Sequence, residues 1–290
     1  MLEAVPNVSE GRDRAVIDEI GRAFGGGAEL LDVHSDPDHH RTVLTLAAEA
    51  SELVDSLLDG AARTLALVDL RRHDGVHPRV GAVDVVPLVP LEPSGMPEAK
   101  RAALDLAGRL GRELGVPVLL YGAVGENRRP AFFRSGGLEE LARRIAAGAV
   151  EVAAGPAVVD PRSGVVLVGA RPPLVAYNVE LASADLSVAR EIAVAVRETG
   201  GGMPGVQAIG LGLPRSGRIQ VSMNVLDLER SPLHEVVGRV VREAHARGVE
   251  VAGGELVGLV PERVLDAARA AGVEIPGVGE SRVLERALGL

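Results

Sequence analysis

At 290 residues the chain has room for one large domain or two of ordinary size, and its 47% hydrophobic but only 2% aromatic content means a core built from Val, Leu, Ile and Ala. A net charge of −9 argues against a nucleic-acid-binding surface. The lack of Cys excludes disulfides, thiolate zinc sites and Cys nucleophiles, and leaves Lys100 as the single Lys for any Schiff-base chemistry. No apolar run approaches the length of a membrane span, and the start, Met1-Leu2-Glu3-Ala4-Val5-Pro6, lacks the basic and apolar regions of a signal peptide. A cytoplasmic protein with no membrane partner and no nucleic-acid partner is expected.

Taken in order, Glu3 to Val8 reads as a strand, and Val16, Ile17, Ile20 and Phe24 mark a helix that Gly25-Gly26-Gly27 ends. Leu30 to Val33 is a strand. His34 to His40 reads as a polar turn, and Arg41 to Leu46 alternates as a half-buried strand does. A second helix carries Leu53, Val54, Leu57, Leu58, Ala61 and Leu65 on one face, and Val83 to Val89 is a β-branched strand. The stretch between them is punctuated by Gly75, Pro78 and Gly81, which predicts a loop over His73–Arg79.

An inserted block follows, with helices over Ala99–Leu114 and Leu138–Ala147, a strand over Val116–Tyr121 and a short piece at Ala131–Arg134. Residues Gly155 to Gly164 have no periodicity and read as an ordered loop. The first half's order then returns. Strands fall at Leu174–Leu181, Val206–Leu213 and Arg218–Val225, and Glu250–Val260 contains a fourth. Val188, Ile192 and Val196 mark one helix; Val236, Val237, Val240, Val241 and Ala244 mark another, with Ser231 as its N-cap before Pro232. Pro261 opens a final helix. The doubled β-α-β-β-α-β order predicts an α+β fold of two ferredoxin-like halves, here bounded as residues 1–165 and 166–290.

Five of the seven His (His34, His39, His40, His73 and His77) fall between positions 34 and 77, in two loops that also hold Arg41, Arg71, Arg72 and Arg79. His titrates nearest neutral pH, and Arg suits bidentate carboxylate recognition. His77 precedes Pro78, which biases it to an extended conformation, and Asp74 and Asp84 are available to orient a catalytic ring. The His34–His40 turn admits three readings: a metal site, a polar wall of an active site, or a solvated turn. A metal-dependent amidohydrolase would be built on His34, Asp36, His39 and His77. A non-enzymic ligand-binding module is the rival from another class, since fold does not settle function. No Gly-x-Ser-x-Gly elbow or P-loop is present, and His234 and His245 read as surface residues.

Three runs, Val5-Pro6-Asn7-Val8-Ser9-Glu10-Gly11-Arg12, His40-Arg41-Thr42-Val43 and His73-x-Gly75-x-His77-Pro78-Arg79-x-Gly81-Ala82-x-Asp84-Val85, resemble the glutamate formimidoyltransferases (formiminotransferases). Gly115-Val116-Pro117-Val118, Leu120-Tyr121-Gly122, Gly169-Ala170-Arg171, Val206-Gln207-Ala208-Ile209-Gly210 and Leu256-Val257-Gly258-Leu259-Val260-Pro261 extend the likeness in collinear order to nearly the whole chain. The likeness is to the N-terminal transferase part of formiminotransferase-cyclodeaminase. It implies formimidoyl transfer between N-formimidoyl-L-glutamate and tetrahydrofolate in histidine degradation, with tetrahydrofolate as co-substrate and no metal expected. Formyl transfer from 5-formyltetrahydrofolate is the near alternative. The resemblance further implies a homodimer and two halves facing each other across a ligand channel.

It places the catalytic His at His77. The folate-contacting segment falls on Gly155, Pro156, Ala157, Val158, Val159, Asp160, Pro161, Arg162, Ser163 and Gly164. His40, Arg41 and Arg79 are candidates for the glutamate portion. Vertebrate bifunctional members carry Asp where this chain has His34 and Asn where it has His40, which leaves Asp36 or Asp84 to orient the catalytic ring.

Overall fold

The opening strand is split by Pro6, which has no N–H to give to a ladder, into β1 (Leu2–Ala4) and β2 (Asn7–Val8). In the computed structural model, which describes residues 1–290, the chain divides into two compact units, Met1–Pro172 and Pro173–Leu290. The first unit continues with α1 (Arg14–Phe24), β3 (Glu29–Asp36), β4 (Arg41–Ala48), α2 (Ala50–Leu67) and β5 (Val83–Pro90). The inserted block adds α3 (Met96–Glu113), β6 (Val118–Gly122), α4 (Pro130–Arg134), α5 (Gly137–Ala146) and β7 (Val166–Ala170).

These strands form one sheet in the spatial order β3, β4, β1/β2, β5, β7, β6. The β3–β4, β4–β1/β2 and β1/β2–β5 pairs are antiparallel, whereas β5, β7 and β6 run parallel. Every residue of β5 and β7 is buried, as strands covered on both faces should be. Successive residues serve opposite faces. Val86, Leu88, Val166 and Val168 join the main core with Leu44, Leu46, Leu57 and Leu106, while Val85, Val165, Leu167 and Leu119 join a second cluster with Phe133, Leu141 and Ile145. Asp13 caps α1 by accepting from the Ala15 and Val16 N–H groups. Helices α1 and α2 touch at Gly60, where any Cβ would lie 2.2 Å from the Phe24 ring.

The second unit carries β8 (Val175–Leu181), α6 (Leu186–Val196), β9 (Val206–Leu213), β10 (Arg218–Val225), α7 (Leu233–Ala246), β11 (Val251–Val257), α8 (Glu262–Ala270) and α9 (Leu284–Ala287). Its sheet is antiparallel in the order β11, β8, β10, β9, and Tyr177, Val179, Val221, Ile192 and Val240 fill its core.

The protein is thus α+β with two sheets, and it departs from the sequence reading at several points, the unread strand β7 among them. The division falls after Pro172 and not after residue 165, because β7 hydrogen-bonds between β5 and β6 in the first sheet. His34, Ser35 and Asp36 continue β3, paired with Val43, Thr42 and Arg41, so the turn is confined to residues 37–40. Ser231 does not cap α7; its hydroxyl donates to the Pro204 carbonyl at 2.7 Å, and Pro232 is the cap residue. No helix is long and apolar enough to cross a membrane.

Candidate active site

The connection from α2 to β5 is held at both ends and braced in its middle. It opens with a 3-10 turn, Leu70–Arg72, in which the Asp69 carboxylate accepts from the Arg71 N–H. It closes with Val80 and Ala82, both fully buried. The Val76 N–H donates to the Asp38 carbonyl at 3.0 Å, which ties the loop to the β3–β4 turn. Gly75 permits this approach, since a Cβ there would lie 2.2 Å from the His39 carbonyl oxygen. The turn in turn needs a left-handed residue at His40, whose φ is 50°. On the other flank, Leu70 N–H donates to the Arg162 carbonyl at 2.9 Å and Ala82 N–H to the Ser163 carbonyl at 2.8 Å. The loop of residues 155–164 is therefore stitched to both ends of the His loop.

Behind the His loop lies Asp84, wholly buried near the start of β5. One carboxylate oxygen accepts the Val80 N–H at 2.7 Å. The other accepts Arg41 Nη1 at 2.8 Å and also Arg134 Nη2, which reaches in from the end of α4. Burial alone would raise the carboxyl's pKa, but Arg134, Arg41 and the Val80 N–H outweigh it and hold the group ionised, well below the usual carboxylate range. Arg41 is itself only 7% exposed, and its Nε donates to Asn7 Oδ1 at 2.9 Å. Burial lowers its pKa to about 10, against the pull of Asp84, so it keeps its charge at neutral pH.

His77 stands against these cations. Its Nδ1 lies 2.8 Å from the Pro78 carbonyl oxygen, which can only accept. The ring proton is therefore on Nδ1, and Nε2 carries the free lone pair. The residue is half-buried, with an edge left open, yet its ring is packed closely among protein atoms. That loss of water, followed by the charges of Arg41 and Arg134 and the neighbouring His39, pushes the imidazole pKa well below its ordinary value. The His39 ring is tilted toward it, with centroids 5.6 Å apart. A neutral imidazole with one nitrogen anchored and the other available is the arrangement a general base needs.

The other expected residues are engaged with the protein. His73 donates from Nε2 to the His40 carbonyl at 2.6 Å and accepts the Gly75 N–H on Nδ1 at 3.1 Å, so both nitrogens are committed to backbone. Burial and then Arg79 depress its pKa to about 4. The His40 ring stacks on it at 4.2 Å and donates to Glu10 at 3.2 Å. Burial opposes the charge of Glu10, but His40 and the Asp13 and Arg12 N–H groups hold its pKa at about 2.

Arg41, expected to take a substrate carboxylate, is enclosed and turned to the protein's own Asp84 instead, because β4 lies one strand from β5 and the side chain reaches past Asn7 of β2 to that carboxylate. Arg79 donates to the His73 carbonyl at 2.5 Å and the Gly75 carbonyl at 3.3 Å, closing the loop on itself. Asp36 accepts the Asp38 and His39 N–H groups, so of the two orienting candidates only Asp84 is joined to the end of the His77 loop. His34, Asp36, His39 and His77 do not form a donor set, since no group of three or more His, Asp or Glu is gathered to hold a metal ion.

In the 155–164 loop, residues 155–158 are exposed, with Val158 79% exposed, and Gly155 (φ 83°) and Gly164 (φ 70°) bracket it in left-handed conformations. A cavity of about 560 Å³ opens in the second unit between α7, β11 and residues 273–276, and no expected site residue lines it. Sequence reading missed Arg134, whose only signal was a polar residue closing a short apolar piece, and Glu10, which lay in a recognised run without a role.

Comparison with known proteins shows the family. Residues 1–171 match the formiminotransferase domain, N-terminal subdomain, and residues 176–271 match the formiminotransferase domain. The chain is 36% identical over 295 residues to a glutamate formimidoyltransferase of Thermoplasma acidophilum, covering 99% of this chain and 96% of that one. It is 34% identical over 270 residues to a glutamate formimidoyltransferase of Streptococcus pyogenes serotype M1, covering 91% and 90%. Against the formimidoyltransferase-cyclodeaminase of Sus scrofa it is 41% identical over 281 residues, which is 92% of this chain but 52% of that longer protein, so it spans about half of the bifunctional relative. The chain belongs to the formiminotransferase family.

Proposed function

We propose that the protein transfers a formimidoyl group between N-formimidoyl-L-glutamate and tetrahydrofolate, giving 5-formimidoyltetrahydrofolate and L-glutamate, as in histidine degradation. The observation that carries this reading is His77: Nδ1 fixed on the Pro78 carbonyl, Nε2 available, and the ring kept neutral between Arg41 and Arg134. Attack by folate N5 on the formimidoyl carbon forms a C–N bond and makes N5 acidic; His77 Nε2 takes that proton. The tetrahedral intermediate collapses by breaking the bond from carbon to the glutamate nitrogen, and the imidazolium returns the proton to that leaving nitrogen. Two flanking guanidinium groups make the imidazolium a strong acid, so the proton passes on readily. No covalent enzyme intermediate is required, which suits a chain without Cys.

In this reading the exposed run of residues 155–158 receives the pterin, and the anchored part, Asp160 to Gly164, keeps it beside the His77 loop. The glutamate portion falls to Arg79 and His40 at the loop edge, with Arg41 acting from behind. Each β-α-β-β-α-β sheet, with its first strand between the fourth and the third, is read as a ferredoxin-like half. On the family resemblance the reading extends to a cytoplasmic homodimer.

The direct test is purified protein with formimidoylglutamate and tetrahydrofolate, followed spectroscopically. Turnover should persist from alkaline pH down past 6.5, since the base loses its lone pair only below its lowered pKa. No transfer with either formimidoyl or formyl donor would sink the reading.

A further inference from the structure

Arg134 belongs neither to the His loop nor to the turn it rests on. It ends α4 in the inserted block, and its neighbour Phe133, only 1% exposed, is seated in the cluster of Leu119, Tyr121, Leu141 and Leu167. The Phe132 carbonyl accepts Arg144 Nη1 at 2.9 Å, which fixes α4 to α5. The backbone of Arg134 is thus positioned by a core distinct from the one beneath α1 and α2. From there the guanidinium reaches the same Asp84 oxygen that Arg41 holds, while the other Asp84 oxygen holds the Val80 N–H. Val80 lies three residues beyond His77, and its carbonyl accepts the Val165 N–H at 2.9 Å.

The charged or titratable groups facing His77 come from every element around it: Arg41 from β4, Arg134 from α4, His39 from the turn and Asp84 from β5. One carboxylate therefore stands against two permanent cations. Arg41 has Asn7 as a further partner; Arg134 Nε is buried with no hydrogen-bond partner. A buried N–H left unsatisfied is a cost that the geometry tolerates for the sake of the Asp84 contact.

We propose that Arg134 is a positioning residue for the transfer: from the inserted block it clamps Asp84, and through Asp84 and the Val80 N–H it fixes the loop that presents His77. Its charge also disfavours the imidazolium, so His77 starts each cycle as a base. The inserted block, which extends the sheet by β6 and β7, thereby becomes part of the active-site machinery. The proposal rests on the role given to His77 above, and its test is chosen to separate the two.

Arg134→Met and Arg134→Gln remove the charge; Arg134→Lys keeps it but loses the planar fork. The His77 imidazole is followed by NMR titration in ligand-free protein, with the resonances assigned by their loss in His77→Ala. In the neutral variants the titration should move upward by about one pH unit, and the acid limb of the rate profile should move with it. In Arg134→Lys the titration should stay at the parent position while kcat falls about tenfold with KM nearly kept. A folded neutral variant in which His77 titrates as in the parent overturns the proposal. If neither neutral variant folds, Arg134→Lys decides alone: parental kcat, or a shifted titration, overturns it. If the parent shows no transfer, the functional reading falls, and the titrations still decide whether Arg134 acts on His77.

Discussion

Both units contain the same β-α-β-β-α-β order, and each sheet sets its first strand between the fourth and the third, yet the candidate site lies in the first of them. The difference lies in the connections. From α2 to β5 the first unit spends residues 68–82, while the second passes from α7 to β11 in residues 247–250. The hairpin turn of the first unit is 37–40, with two His; that of the second is 214–217, with none. Even the shared Asn on the first strand is used differently. Asn7 accepts from Arg41, within the Asp84 cluster, whereas Asn178 donates to Glu255 at 3.2 Å. A repeated scaffold therefore leaves function to be set by loop length and by the charges that loops bring to one strand end.

The sharpest break of this comparison is His77→Ala. Turnover should fall by at least about 10²-fold with the fold intact by circular dichroism, whereas His73→Ala should cost much less, because both its nitrogens already serve backbone. Near-normal turnover in His77→Ala, with loss in His73→Ala or His40→Ala, would move the base elsewhere in the cluster.

Next in size is the buried carboxylate. Asp84→Ala leaves Arg41 and Arg134 unpaired in the interior and should cost about 3–5 kcal/mol in urea unfolding. Asn178→Ala, in the second unit, should cost less, about 1.5–3 kcal/mol, as loss of one buried hydrogen bond to a carboxylate. Equal losses would show that the two clusters bear the same structural burden.

Acid should weaken the first unit through His73. Its pKa is about 4 in the folded protein against an ordinary 6.5. Between those values the unfolded chain binds more protons, so stability falls as pH drops from 6.5 to about 4. Melting temperatures across that window should decline more gently in His73→Asn; an unchanged decline removes His73 as its source.

The smallest expected effect tests the likeness of the scaffolds. Asp13 caps α1 and Asp185 caps α6, each through its side chain. Replacing either with Ala should cost about 1 kcal/mol, and similarly in both units. A large asymmetry would mean that the two first helices are not held in equivalent ways.

Local chemistry written along the chain determined a good deal. The 3.6 and 2 periodicities placed nearly every helix and strand, and Gly75, Pro78 and Gly81 marked the loop that carries His77. The crowding of His and Arg into two stretches pointed to the candidate site before any contact was known. Tertiary structure alone decided which of those groups are spent and which are free. His73 and His77 look alike in sequence, but only the fold gives one two backbone partners and leaves the other an open nitrogen. Arg41 reads as a surface charge until the sheet sets β4 one strand away from β5, across β2, and encloses the side chain there. Strand β7 and Arg134 were missed for the same physical reason. β7 is a strand by virtue of pairing with β5 and β6, and Arg134 matters by virtue of a carboxylate 50 residues earlier; periodicity reports what a residue does for its own element, not which distant element will close on it.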